Sequence, residues 1–273
     1  KIVIVTGFQG VTEDGEITTL GRGGSDTTAA ALGVALNAAS VDIYTDVEGI
    51  MTADPRIVAD ARPLEMVTYN EICQLAREGA RVVHPRAVEI VMQKSIPLRI
   101  KCTFSDAPGT LVTRERSYQS IDITGDRTIT GITHIQDITR FRISTKDASD
   151  IPDFQGRVFK ALALAGISVD FINVGPEAVL FTISNSVVAK ALKVLDGMGI
   201  YPEVFPDCAK VAAVGAAMTG VPGVMARIVE TLAREKIQIL QSADSYTTIW
   251  ILVRKEDMGK SIRALHRQFG SEM

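Results

Sequence analysis

Two stretches of the chain, "GISVDFINVGPEAVLFTIS" at residues 166–184 and "KIQILQSADSYTTIWILVR" at residues 236–254, decide the fold. They align without a gap at an offset of 70 residues (236 minus 166), and the same offset pairs Pro152 with Pro222. Self-similarity at a fixed spacing is the signature of a repeated supersecondary unit. The second half of the chain therefore contains two copies of one unit.

Each copy has the pattern strand, proline-led loop, helix, strand, hairpin, strand, helix. In the second copy the successive segments are "KVAAVGA", "VPGVMARIVETLARE", "IQILQSA", "TTIWILV" and "MGKSIRALHRQF". A βαββαβ unit of this kind forms an antiparallel sheet with two helices on one face. We expect the two copies to pack side by side, with related clefts between them.

The first part of the chain has a different sequence pattern, in which short β-branched runs alternate with segments of helical periodicity. "KIVIV", "DTTAAALGVALNA" and "SVDIYTDV" follow one another in this way. The pattern predicts an α/β fold with a parallel sheet and helices on both faces, in which "KIVIV" is a buried strand. The expected divisions are 1–113 for this part, 114–128 for a polar linker, 129–206 for the first repeat unit and 207–273 for the second. The leading strand of the first unit either belongs to that unit alone or is shared with the second.

Composition excludes several classes of protein. The 273 residues carry a net charge of −3 without a basic stripe, which argues against nucleic-acid binding. Apolar runs stay shorter than the roughly 18 residues of a membrane span. Cys73, Cys102 and Cys208 lie far apart, as do the three histidines, so neither a disulfide framework nor a structural metal is indicated. We expect a cytoplasmic protein and, because a strand is predicted at Lys1 itself, a piece of a longer chain.

The loop "GRGGSDTTAA" at residues 21–30 leads directly into a helix. Glycines before a helix start expose backbone N–H groups at the positive end of the helix dipole, which favours phosphate or carboxylate binding. Arg22 adds a planar cation suited to a carboxylate, and Asp26 and Thr27 are N-cap candidates. The alternative is an ordinary glycine turn followed by a capped helix.

A second loop, "YTDVEGIMTADPR" at residues 44–56, follows the next strand. Thr45 and Asp46 stand at the carboxyl end of that strand, where open parallel sheets bind ligands. Arg56 is placed to reach a phosphate. Alternatively, Asp46 is a capping residue and Asp54-Pro55 a simple turn.

"GRGGSDTTAAALG", "IYTDVEGIMTADPR", "EGARVVHPRAVE" and "GTLV", in this order and followed by two βαββαβ units, resemble the aspartate kinase family, most closely that of Bacillus-type bacteria. The resemblance implies part of an amino-acid-kinase domain followed by two regulatory ferredoxin-like ACT domains. It also implies ATP-dependent phosphorylation of the aspartate side-chain carboxylate to 4-phospho-L-aspartate, the first step toward lysine, diaminopimelate, threonine and methionine. Mg²⁺ would be held mainly through the nucleotide.

The resemblance also implies roles for particular residues. Arg22, Gly23, Gly24 and Ser25 would bind aspartate, and Asp26 would be catalytic. The residues implied for ATP are Thr45, Asp46, Met51, Asp54, Arg56 and Arg81. Arg81 replaces a lysine, and Met51 replaces an aromatic residue common near the adenine. The lysine- and glycine-rich K-F-G-G-T-S segment of the family does not occur here, so we expect this chain alone to be inactive.

In ACT pairs an amino-acid effector lies between the units, and the pairs usually form homodimers through their sheets. The effector-binding residues implied are Ser168, Val169, Asp170, Asn173, Ile237, Gln238, Ser242 and Asp244. Alternatively, the polar residues among them are solvated turn residues. Diaminopimelate, lysine and threonine remain open as effectors. Asp147, Asp150 and Asp153 would suit a ligand with two ammonium groups, or they are surface charges.

Two other functions remain open: a non-catalytic effector-binding subunit of an aspartate kinase, and a kinase acting on another amino acid such as glutamate. Outside these motifs, we expect His84 to be a capping or packing residue at a helix start rather than a base, and His134 and His266 to lie on the surface. Trp250 is expected to pack at a face of the sheet or at a subunit face.

Overall fold

The computed structural model describes residues 1–80, 82–114, 128–146, 150–215, 218, 221–270 and 273. Arg81, Asp147 and most of the predicted linker lie outside the described residues. The first part of the chain contains β1 (Gln9–Val11), β2 (Ile17–Thr19), α1 (Gly24–Ala35), β3 (Val41–Thr45), β4 (Met66–Thr68), α2 (Tyr69–Arg77), α3 (Pro85–Met92), β5 (Leu98–Cys102) and β6 (Thr110–Thr113). The second part contains β7 (Gly131–Ser144), α4 (Ile151–Leu164), β8 (Asp170–Val174), β9 (Ala178–Ser184), α5 (Val188–Asp196), β10 (Glu203–Val214), α6 (Val224–Arg234), β11 (Gln241–Asp244), β12 (Thr248–Arg254) and α7 (Lys255–Phe269).

The α/β class is confirmed, but the four-stranded sheet of the first part is mixed. Its strand order is β3-β5-β6-β4. β3 and β5 are parallel, as are β4 and β6, whereas β5 and β6 are antiparallel. Only residues 103–109 connect β5 to β6, and a connection this short reverses the chain, because a parallel pair needs a longer crossover.

The prediction of a buried strand at "KIVIV" is wrong for the described structure. Ile2 and Ile4 are 95% and 93% exposed, and residues 1–5 form no strand. A strand requires a neighbour to pair its backbone groups, and the first described pairing is that of the hairpin β1–β2. The apolar side chains of this segment therefore face solvent.

The second part forms one antiparallel sheet of six strands in the order β11-β12-β10-β7-β9-β8. The 70-residue repeat is confirmed, since β9 and β12 occupy equivalent ranges, Ala178–Ser184 and Thr248–Arg254. The outer strands of the sheet belong to different units: β8 and β9 to the first, β11 and β12 to the second. The two units are thus fused through the central pair β7–β10.

The central strands β7 and β10 each serve both repeat units. The C-terminal half of β7 pairs with β9 of the first unit, and the C-terminal half of β10 pairs with β12 of the second. Register shifts interrupt the β7–β10 ladder near its middle, where Asp137 and Asp207 have φ angles of 61° and 52°. These bulges bend both strands at the point where they pass from one unit to the other.

Each unit places two helices over one face of the sheet. In the first unit α4 and α5 cover a core around Phe141, Phe181 and Leu162, and in the second α6 and α7 cover one around Ile228 and Ile262. The opposite face of the second unit is covered by the first part of the chain. There Ala212 and Val214 of β10 share a core with Ile72 and Leu75 of α2.

Hydrogen bonds reinforce this contact between the two parts of the chain. The Thr130 hydroxyl donates to the Glu71 carboxylate, which also closes a capping box with Thr68 at the start of α2. Thr133 Oγ1 donates to the Glu78 carbonyl at 2.9 Å. The end of α2 is therefore fixed directly to the sheet of the second part.

Within the described residues, none of the helices is long and apolar enough for a membrane crossing.

Candidate active site

The loop before α1 places its glycines in a conformation that other residues rarely adopt. Gly23 is the N-cap of α1 with a φ angle of 74°, and a Cβ at this position would lie 2.5 Å from the His84 ring. The prediction that Asp26 or Thr27 caps the helix is wrong, because α1 begins at Gly24. Thr27 instead donates through its hydroxyl to the Gly23 carbonyl at 2.9 Å. Asp26 lies in the first helical turn.

Asp26 is held against the segment that precedes α3. The His84 backbone N–H donates to Asp26 Oδ2 at 3.2 Å. The His84 ring accepts from the Arg86 N–H at the start of α3, so His84 is a helix cap as predicted. Two loops that lie 58 residues apart in the chain thereby meet at one carboxylate.

A cavity of about 500 Å³ opens between these loops. It is lined by residues 22–26 and 82–85, together with Phe8 and Ala76. The structure thus brings together all five residues predicted for aspartate binding and catalysis. It adds the wall formed by residues 82–85, for which the only signal in the sequence was the "EGARVVHPRAVE" motif.

The chemistry of this cavity suits a small anionic ligand that also carries a polar group. The first N–H groups of α1 have no partner within the helix and lie at its positive end. Arg22 supplies an exposed guanidinium beside them. Asp26 supplies a carboxylate opposite in sign to both. The site can therefore bind a ligand carboxylate at Arg22 and the start of α1, and it presents the negative charge of Asp26 to another part of the ligand.

The residues predicted for ATP lie apart from this cavity. Thr45 and Asp46 follow β3 and share a hydrogen bond of 3.1 Å. Arg56 donates two hydrogen bonds to the Asp54 carboxylate, at 3.0 and 2.8 Å, which makes a bidentate ion pair. This pair lowers the pKa of the Asp54 carboxyl. The Arg56 side chain remains 87% exposed. Met51 forms an isolated bridge with Pro63. Of the described residues in this set, none lines the cavity at Asp26.

The predicted effector residues are divided between the two repeat units. Ser242 and Asp244 line a cavity of about 480 Å³ at the start of α6, next to Gly223. In the first unit, Asp170 is paired with Lys210, whereas Ser168 and Asn173 are exposed. Ile237 is buried in the core of the second unit, and Gln238 beside it is exposed. Val169 packs partly buried against the core of the first unit.

Lys210 is the residue that sequence reasoning missed. It is only 4% exposed in β10, and its Nζ lies 3.0 Å from Glu78 Oε2 and 2.5 Å from Asp170 Oδ2. A lysine in the apolar run "CAKVAAV" was the available signal, because buried lysines are almost always paired.

Both other histidines are less exposed than expected. His266 is 7% exposed, which contradicts the prediction of a surface residue, and its Nε2 lies 2.9 Å from Thr52 Oγ1. Burial lowers the pKa of His266, and nearby Arg62 adds to this effect. Burial also lowers the pKa of His134, against the opposing influence of Asp54. Trp250 of β12 is partly buried and packs against the core that the sheet shares with the first part of the chain, which is the first of the two predicted placements.

Two family models match the chain: the amino acid kinase family at residues 1–102 and the ACT domain at residues 203–267. Aspartokinase 1 of Bacillus subtilis is 52% identical over 267 residues, which cover 98% of this chain and 66% of that protein. The aspartokinase of Thermus thermophilus is 35% identical and is covered to 67%. The chain thus spans about two thirds of the length of these relatives.

The chain is also similar to solved structures of an aspartokinase. Aspartokinase III of E. coli with aspartate and ADP, in its R-state, superimposes with a TM-score of 0.79 at 30% identity, covering 96% of this chain and 59% of that one. The same enzyme with lysine and aspartate, in its T-state, gives a TM-score of 0.77 with the same coverage.

Proposed function

The chain belongs to the aspartokinase family, and from this premise we propose that it forms the aspartate-binding and regulatory portion of an aspartate kinase. The proposed reaction is transfer of the γ-phosphoryl group of ATP to the side-chain carboxylate of aspartate, which gives 4-phospho-L-aspartate. This would be the first step toward lysine, diaminopimelate, threonine and methionine, in the cytoplasm. The observation that carries the proposal is the cavity formed by residues 22–26 and 82–85.

In the proposed mechanism this chain positions the acceptor. Arg22 and the N–H groups at the start of α1 would bind a carboxylate of aspartate. The Asp26 carboxylate accepts a hydrogen bond from the His84 N–H at 3.2 Å. In this fixed position it would help to orient the groups around the phosphoryl group that is transferred. Phosphoryl transfer requires little covalent participation by the protein, so positioning and charge neutralisation supply most of the rate. A binding subunit without activity would not need this cavity, which favours the kinase over the regulatory subunit.

The nucleotide fits the described residues in part. Thr45 and Asp46 at the end of β3, and the Asp54–Arg56 pair, present polar groups and one exposed cation suited to phosphate. We propose that Mg²⁺ is held mainly through the phosphates of the nucleotide. When bound, the ion would neutralise charge on the transferring group. E. coli aspartokinase III, with ADP bound, supports the use of a nucleotide.

For regulation we propose that an end-product amino acid binds at the two repeat units. The ACT match at residues 203–267 and the T-state of the E. coli enzyme with lysine support this. The divisions 1–113, 114–128, 129–206 and 207–273 remain our proposal, with β7 and β10 contributing to both units. Diaminopimelate, lysine and threonine are the candidate effectors.

We also propose a homodimer through the edges of the six-stranded sheet. β8 lies at one edge, and its Ile172 and Val174 are 49% and 51% exposed. Edge strands with exposed apolar side chains are commonly covered by another chain. Light scattering tests this: a monomeric mass, or a dimer that survives charged substitutions at both positions, would contradict it.

Calorimetric titration of the chain with L-aspartate tests the proposed function. We expect binding that is lost in Arg22→Met and kept in Arg86→Met, a control that removes a guanidinium just beyond the cavity lining. L-glutamate should bind at least about tenfold more weakly, since an added methylene in a tight site costs about 1–3 kcal/mol. Absence of aspartate binding, or equal binding of glutamate, would refute the assignment.

A further inference from the structure

Lys210 is a buried cation that lies between two carboxylates from different parts of the chain. Its side chain is 5% exposed, that of Glu78 is 10% exposed and that of Asp170 is 63% exposed. The ammonium donates a hydrogen bond to Asp170. The Glu78 contact is an ion pair without hydrogen-bond geometry, so Glu78 Oε2 has a charge partner but no donor directed at it. Lys210 therefore holds Asp170 tightly and Glu78 through charge alone.

Glu78 begins the segment that forms one wall of the substrate cavity. It directly follows α2, and residues 82–84 of the same segment line the cavity. The segment is clamped at its start: Thr133 donates to the Glu78 carbonyl, and Gly79, with a φ angle of 117°, lies against the His134 carbonyl. It ends at His84, whose N–H donates to Asp26. The described residues 78–80 and 82–84 therefore lie between the Lys210 contact and the Asp26 carboxylate.

We infer that Lys210 is a positioning residue for the aspartate site, acting through Glu78 and the segment 79–84, and that it links this site to Asp170 in the first repeat unit. This inference rests on the proposed function, because it assigns the regulation of the same site. A ligand ammonium group that pairs with the exposed Asp170 carboxylate competes with Lys210 for it. The cation then redistributes toward Glu78, and the cavity wall moves with it.

The test combines local hydrogen exchange with aspartate binding. In Lys210→Gln we expect faster exchange of the amides at 79–84 and aspartate binding weakened by about tenfold. Lys210→Arg keeps the charge and should restore both properties to near the parent values. Lys255→Gln is the control, because it removes another lysine–aspartate pair, between α7 and Asp137 of β7 at 2.6 Å, that has no described contact with the segment.

Glu78→Gln covers the case in which Lys210→Gln fails to fold. This change is isosteric and leaves Lys210 paired with Asp170, so the fold should survive while exchange at 79–84 still rises. Unchanged exchange at 79–84 in folded Lys210→Gln or Glu78→Gln overturns the inference. An effect of equal size in Lys255→Gln overturns it as well.

The two proposals can fail separately in this design. If the parent chain does not bind aspartate, the proposed function fails, and hydrogen exchange still decides whether Lys210 controls the segment. If aspartate binds equally well to the parent and to Lys210→Gln, the inference fails and the proposed function stands. Adding L-lysine or diaminopimelate to the parent chain should change exchange at 79–84, and Asp170→Asn should abolish that change.

Discussion

Arg140 and Lys210 occupy equivalent positions of the two repeat units, 70 residues apart, and each reaches the other unit. Arg140 Nη1 donates to the Leu240 carbonyl at 2.8 Å, next to β11, whereas Lys210 Nζ donates to Asp170, the first residue of β8. Asp170 and Leu240 are again 70 residues apart. The two units thus contact each other through equivalent cationic side chains related by an internal pseudo-twofold axis. Among the described contacts of these two residues, that of Lys210 with Glu78 alone reaches the first part of the chain.

Because Arg140 and Lys210 differ in their contacts, we expect a change at Arg140 to affect the stability of the chain but not its affinity for aspartate. We expect Arg140→Met to lower the free energy of unfolding by about 1–3 kcal/mol, because the Leu240 carbonyl loses its donor. Aspartate affinity should remain unchanged, since Arg140 has no described contact with residues 78–84. Urea unfolding and aspartate titration on the same variant check both statements. A loss of affinity as large as that of Lys210→Gln would show that the two cations are functionally equivalent.

Gly79 cannot accept a side chain without displacing β7. Its φ angle is 117°, and an added Cβ would lie 2.1 Å from the His134 carbonyl oxygen. We expect Gly79→Ala to reduce the free energy of unfolding by roughly 2–4 kcal/mol, from strain and steric overlap together.

Gly156 provides the matched control for this substitution. It lies inside α4, and an added Cβ would meet no atom within 4 Å. Gly156→Ala should therefore stabilise the chain by about 0.5–1 kcal/mol through helix propensity. Urea denaturation measures both changes, and a Gly79→Ala chain as stable as the parent would contradict the described geometry.

One buried histidine, His266, and one half-buried histidine, His134, should make the chain sensitive to mild acid. Burial lowers the pKa of His266 and of His134 in the folded state below the ordinary value of 6.5. The unfolded chain then binds more protons than the folded chain, so stability is lost as the pH falls below about 6.5.

The thermal unfolding midpoint should accordingly be lower at about pH 5.5 than at about pH 7.5, and His266→Gln should reduce this difference. The Asp54 carboxyl does not account for such a loss. Its pKa is lowered from 3.8, so its contribution disappears only at more acidic pH. A midpoint independent of pH across this window would contradict the assignment.

The three cysteines should be unreactive in the folded chain. Cys73, Cys102 and Cys208 are all buried, and burial raises the pKa of Cys73 to about 11 and that of Cys208 in the same direction. Because the thiolate is the reactive form, we expect labelling by a thiol reagent to be more than about a hundredfold slower than in denaturant. Ser186→Cys, at an exposed position, should label at once and serves as the control.

Features with a local or periodic cause could be predicted from the sequence. The repeat was detectable because core packing imposes the same apolar positions in both units, and the loop before α1 because glycines and a helix start lie in succession. The exposure of "KIVIV" could not be predicted, since a buried strand and an unpaired one share the same composition. The Lys210 contacts depend on residues 40 and 132 positions away (210 minus 170, 210 minus 78), which no local pattern encodes.

The passage of β7 and β10 through both repeat units has a consequence for how such a protein can change over generations. Cutting the chain between the two copies would leave each without a strand that it borrows from the other. Loss, duplication or exchange of one copy alone would therefore expose an unpaired sheet. We therefore expect the two copies to be retained as a pair, while differences such as arginine at 140 and lysine at 210 accumulate between them.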